Sequence, residues 1–90
     1  MTREAMVKAM LDEYATARRR HIFAYMRGDI MDAEYYAGIT TGIKQIAALM
    51  GAEISEVGVT SVLDNGGKGT IDVWARIVGQ KQIFTVTIRF

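Results

Sequence analysis

The spacing of apolar residues changes at Gly51. Before it they recur every three to four positions; after it they alternate with polar residues every second position. This switch of period constrains the fold more than any other feature. It requires helices in the first half and strands in the second, and therefore an α+β chain whose helices cover its own sheet.

From 2 to about 27, at roughly 100° per residue, Met6, Val7, Met10, Leu11, Tyr14, Ala17, Ile22, Ala24 and Tyr25 fall on one broad face. Lys8, Asp12, Glu13, Arg19, Arg20 and Arg27 fall on the other, which describes an amphipathic helix. Thr2 suits the N-cap, Glu4 and Lys8 form a favourable i,i+4 pair, and Gly28 suits the stop. Phe23 is an outlier, an aromatic on the polar side.

Asp29 or Asp32 is expected to cap a second helix over 29–50, ended by Gly51. Its expected buried face is Tyr35, Tyr36, Ile39, Ile43, Ile46, Ala47 and Met50. Gly38 and Gly42 flank that face, and each costs about 1 kcal/mol in a helix interior. Close approach of the first helix is the expected compensation. The short connection makes the two helices antiparallel neighbours.

The sheet is expected over 54–90. "VGVTSVLD", "TIDVWARIV" and "QIFTVTIRF" alternate, are rich in β-branched residues and are separated by glycine-containing turns. Val78-Gly79-Gln80-Lys81 suits a two-residue hairpin with Gly at the first central position. That register sets Ala75 opposite Phe84, Val73 opposite Val86 and Ile71 opposite Ile88, and a slip of one residue would destroy the match. On the first strand Val57, Val59 and Leu63 should point inward. The expectation is one ααβββ domain over 1–90, with a helical hairpin packed on one face of a three-stranded antiparallel meander.

Ninety residues can bury roughly 60–65% of their unfolded surface, and half of these are hydrophobic, with no proline. The absence of cysteine leaves neither disulfides nor thiolate metal sites to supplement that core. A net charge of +1 gives no strong pull toward nucleic acid. No apolar run is long enough for a membrane span, and "MTREAMVKAMLDEY" has no signal-peptide apolar region. These features predict a soluble cytoplasmic protein with no membrane partner.

The motifs resolve into structure more readily than chemistry. "NGGKGT" resembles a phosphate-binding loop, but the spacing is wrong and a strand follows where a helix N-terminus is needed. As a calcium loop it puts Gly66 and Lys68 where oxygen ligands belong. A hairpin turn is the better reading. His21, the single histidine, lies on the apolar face of the first helix and reads as a partly buried core residue. Ser55 and Ser61 lack a nucleophile motif, and Asp72 reads as a diagonal partner of Arg89 across the sheet. No catalytic residue, metal ligand or cofactor site is read, and the chain is expected not to be an enzyme. Arg27-Gly28-Asp29 reads as a helix stop followed by a helix cap rather than an adhesion signal. Arg18, Arg19 and Arg20 spread over roughly 200° of the helix. Arg18 falls in the apolar sector, where its stem can pack while the guanidinium reaches solvent or a carboxylate. Arg19 and Arg20 are expected near Asp12 and Glu13.

The outward sheet face is expected to show Thr60, Val62, Asp72, Trp74, Arg76, Ile83, Thr85, Thr87 and Arg89. A lone tryptophan among arginines and threonines has the composition of an interface anchor. Trp74, Arg76, Ile83 and Arg89, with Phe23, are therefore the expected partner-binding residues. The third strand is also a free edge that a second copy could extend. A homodimer is expected. The alternative is a nucleic-acid-binding protein using Arg18, Arg19 and Arg20 with the Trp74 face. A third possibility is a small-ligand site between helices and sheet, with Tyr14, His21, Tyr35 and Tyr36 supplying polar groups.

"GDIMDAEYYAGITTGIKQIAALMG", residues 28–51, resembles the second helix of short bacteriophage- and prophage-encoded proteins. Shared features are an acidic cap, a Glu-Tyr-Tyr stretch, a small residue and an amphipathic run closed by glycine. The resemblance covers about a quarter of the chain and transfers no site residue. It implies a protein made inside a bacterial cell that binds and inhibits a host protein, such as a defence nuclease.

Overall fold

The structure, a computed structural model, describes residues 2–90. Its elements are α1 (Arg3–Arg27), α2 (Ile30–Leu49), β1 (Ala52–Val57), α3 (Val59–Asp64), β2 (Thr70–Ile77) and β3 (Ile83–Arg89). The sheet is antiparallel in the order β1-β2-β3, and both long helices lie on one face of it. The chain is an α+β domain of ααβββ type, with one short helix added between the first two strands.

The local signals for the helix ends act as their chemistry predicts. Thr2 accepts the Ala5 amide at 3.1 Å and starts α1. Gly28, at φ 76°, ends it in the left-handed conformation. Asp29, rather than Asp32, caps α2, taking the Asp32 amide at 3.1 Å. The Arg-Gly-Asp tripeptide is thus a helix stop followed by a helix cap. Glu4 does not pair with Lys8; its carboxylate accepts from Gln80 Nε2 at 3.3 Å, and the Lys8 ammonium sits over the Phe84 ring.

The β2–β3 register is the expected one, with Ile71, Val73 and Ala75 opposite Ile88, Val86 and Phe84. Ile71, Val73, Ala75 and Ile77 all point to the helices and are buried. The connection differs in detail. The Gln80 amide bonds the Ile77 carbonyl at 3.0 Å, which makes Gly79 the second central residue of the turn.

The first strand is not where the alternation placed it. β1 begins at Ala52 and ends at Val57, and 59–64 is a helix. In six residues, apolar positions 59, 62 and 63 satisfy a helix as well as a strand. Gly58, at φ 105°, turns the chain out of β1, and Val62 is buried in the core rather than displayed on the sheet. Thr60 likewise leaves the sheet face. "NGGKGT" remains a turn, but it links α3 to β2.

α1 packs across β2 and β3, while α2 packs on α1 and β1. Val7, Leu11, Tyr14 and Ile22 carry most of the α1 contribution to the core. The expected burial of α2 holds only in part: Ala47 is buried and Ile43 packs against the core, but the face is rotated. Its buried residues are Ala33, Thr40 and Ala47, one heptad apart, whereas Tyr35 and Ile46 are exposed. Nothing approaches within 4 Å of where a Cβ would stand on Gly38 or Gly42, so α1 does not close on the glycines.

Candidate functional site

Three surfaces qualify. The first is the outward sheet face. Its rows run Glu53-Arg76-Ile83, Ser55-Trp74-Thr85 and Val57-Asp72-Thr87. Trp74 is half-buried at the centre, Ile83 is exposed at the edge, and Arg89 lies at the end of β3 opposite Thr70. Much of the polarity on this face is internally matched. Arg76 pairs with Glu53, and Asp72 accepts from the Thr87 hydroxyl at 2.8 Å instead of meeting Arg89. The face is a ruled polar surface around one indole rather than an apolar patch. Phe23 lies away from it, its ring 5.5 Å from that of Phe90 and under the Arg19 guanidinium.

The second is a polar cluster beneath the helices. Glu56, on the inward face of β1, accepts from Arg18 Nε at 3.1 Å, from Arg18 Nη2 at 2.8 Å and from the Tyr14 hydroxyl at 3.1 Å. Arg18 Nη1 donates to His21 Nδ1 at 2.7 Å. The guanidinium in the apolar sector of α1 has found its carboxylate. Because arginine cannot accept, the neutral imidazole takes that bond on Nδ1 and carries its proton on Nε2. Burial, then the adjacent Arg18 charge, hold the His21 pKa below its ordinary value. Burial and the neighbouring Glu56 carboxylate push the Tyr14 hydroxyl up.

Two open grooves flank His21. One, about 460 Å³, is lined by Tyr25, Ile30 and Ala33 among others; the other, about 300 Å³, by Ile22, Val59 and Leu63. Tyr35 and Tyr36 pack edge to face with each other and line neither groove. The His21 Nδ1 lone pair and both Glu56 oxygens accept hydrogen bonds, so the cluster ties α1 to β1 as an internal clamp. Among the described residues, no three histidine, aspartate or glutamate side chains gather closely enough to hold a metal. No helix among the described residues is long and apolar enough to cross a membrane.

The clamp gives a pH prediction. His21 binds its proton less readily folded than unfolded, so its contribution to stability is complete above the ordinary value of 6.5. That contribution is lost as the pH falls through 6.5 toward the lower folded value. Urea midpoints should therefore drop between neutral and mildly acidic pH, and His21→Gln, which keeps an acceptor for Arg18, should flatten the drop. Identical slopes for the two proteins would refute the assignment.

The third surface was missed in the sequence. α2 exposes Ile30 at 71%, Met31 at 83%, Tyr35 at 64%, Ile46 at 55% and Leu49 at 88%. It fully buries only alanines and a threonine, packs Ile43 against the core, and turns these five large apolar side chains to water. At 100° per residue, Met31, Tyr35, Gly38, Gly42, Ile46 and Leu49 form one lengthwise stripe, with no charged residue between 35 and 43. The signal was present as apolar residues all round the helix, which periodicity cannot sort into inner and outer faces.

The arginine run does not make a common surface. Arg18 is engaged by Glu56, Arg19 lies over Phe23 and Arg20 over Tyr36. Comparison with known proteins finds no matching family model, no similar curated protein and no similar solved structure.

Proposed function

We propose that the chain is a non-enzymatic protein-interaction module that binds through the exposed face of α2. One observation carries this reading: α2 directs five large apolar residues, Met31 and Leu49 above all, away from the core. A contiguous apolar surface of this kind on a small domain marks a binding face. Its lack of cations favours a protein over nucleic acid, whose recognition is dominated by phosphate contacts. The Trp74 face, with Arg76, Ile83 and Arg89, is a second surface of lower apolarity. The resemblance of 28–51 to bacteriophage proteins supports a bacterial host protein, to be inhibited, as a further partner.

The test is to place charge on the apolar surface. Met31→Lys with Leu49→Lys removes apolar area from solvent-exposed positions, so the melting temperature should stay within a few degrees. Every complex made through α2 should disappear, read as mass by light scattering and as proteins captured from a bacterial lysate. Trp74→Ala should leave the α2 complexes intact. If the double variant keeps the wild-type mass and the wild-type set of captured proteins, the reading is wrong.

A further inference from the structure

We infer that the occupant of the α2 face is a second copy of this chain, packed antiparallel across Gly38 and Gly42 about a two-fold axis. The inference rests on the interaction-module reading and adds the identity of the partner and the geometry.

Area is the first argument. The exposed parts of Met31, Tyr35, Ile46 and Leu49 amount to roughly 600 Å² of apolar surface, taking about 200 Å² for a whole large side chain. Ile39 and the bare backbone of the two glycines bring the stripe near the ~800 Å² per partner of a stable interface. α2 is about 30 Å long, so one helix laid along it suffices to cover the stripe.

The second argument is self-complementarity, which an isologous two-fold contact requires. Met31 and Leu49, Tyr35 and Gln45, and Gly38 and Gly42 are three pairs with a single midpoint, residue 40. About an axis at that level, an antiparallel copy sets the large apolar Met31 against Leu49 at both ends. It sets the Tyr35 hydroxyl near the Gln45 amide, and glycine against glycine at the centre. Small residues at the crossing let the helix axes approach to the short end of their usual 8–10 Å range, roughly 8 Å. The segment 35–43 has no charge, so two copies meet there without repulsion.

The third argument is the pair of glycines. Each weakens the helix, and no atom of the chain outside that helix comes within 4 Å of an added Cβ. Their use is therefore not explained within one chain, whereas a second helix at the crossing explains both. The dimer leaves the Trp74 face free, since that face lies on the side of the sheet opposite the helices.

The purified chain should sediment at twice its 10.0 kDa. Gly42→Leu should return it to a monomer while its melting temperature, measured on dilute protein, is unchanged or raised, since an added Cβ there meets nothing within 4 Å in the single chain. The chain has no cysteine of its own, so disulfide mapping is clean. Tyr35→Cys with Gln45→Cys should give a covalent dimer on mild oxidation. Tyr35→Cys alone should not, because the two copies of residue 35 would lie about 15 Å apart. Cross-linking of Tyr35→Cys alone would overturn the antiparallel geometry. A dimer that survives Gly42→Leu would overturn the interface. A monomer at every concentration overturns the second copy as occupant. In that case, a lysate protein lost on Met31→Lys with Leu49→Lys leaves the interaction module standing, and no such loss removes both.

Discussion

Gly58→Ala should destabilise the domain by about 3 kcal/mol, a larger effect than most surface substitutions produce. Gly58 stands at φ 105°, where L side chains pay a steric penalty, and it has no room. An added Cβ would lie 2.8 Å from the Thr70 carbonyl oxygen and 3.6 Å from the Ile71 Cα. These are backbone atoms at the start of the central strand, where Thr70 pairs with Arg89 and Ile71 with Ile88. They cannot swing aside as a side chain tip can. Gly58 also supplies the carbonyl that accepts the Val62 amide at 3.0 Å, and Val62 fills the core. Relief of the clash must therefore move either the central strand or α3. At about 4–8 °C per kcal/mol for a domain of this size, the melting temperature should fall by roughly 15 °C. Gly38→Ala gives the opposite sign. It lies in a helix interior with open space around it, and should stabilise the dilute protein by up to about 1 kcal/mol. Equal effects at the two glycines would show that the close approach at Gly58 does not govern its side-chain preference.

The second large effect is expected at the clamp. Glu56→Ala should cost about 2–3 kcal/mol, because it strands the Arg18 guanidinium and the Tyr14 hydroxyl without their acceptor. The pair is 17% and 16% exposed, so some water reaches it, and the loss should be smaller than for a fully enclosed ion pair. Arg18→Met combined with Glu56→Leu should lose less than the Glu56→Ala variant, since no charge is then left desolvated. Urea titration of the single and double variants measures the coupling. A cost below about 0.5 kcal/mol for Glu56→Ala would place the pair with ordinary surface ion pairs. The clamp matters beyond its energy. It ties α1 to β1, and α2 rests on both.

How much of this was legible depends on the distance over which each feature is decided. The ends of α1 and the start of α2 were readable because Thr2, Gly28 and Asp29 act on amides and carbonyls a few residues away. The β2–β3 register was readable because alternation on both strands leaves one match of apolar positions across a tight turn. Arg18 was placed in the apolar sector, but its carboxylate was not identified. Glu56 lies 38 positions further on, in a strand whose pattern, "AEISEV", has only two β-branched residues. The turn chemistry at Gly79 was displaced by one residue without disturbing the register.

The sequence by itself determined the order of the long elements, their approximate limits and the inward face of the central hairpin. Each of these follows from the hydropathy of neighbouring side chains and from local capping bonds. Only the tertiary structure decided that 59–64 is a helix, that Glu56 meets Arg18, and which side of α2 is buried. Those choices turn on what lies across the layer. Six residues satisfy two periods equally, a charge takes whichever partner the fold brings to it, and a helix apolar all round buries the face that fits. Against α1 and β1, α2 fully buries Ala33, Thr40 and Ala47 with Ile43 packed beside them, and Met31, Tyr35, Ile46 and Leu49 are turned outward.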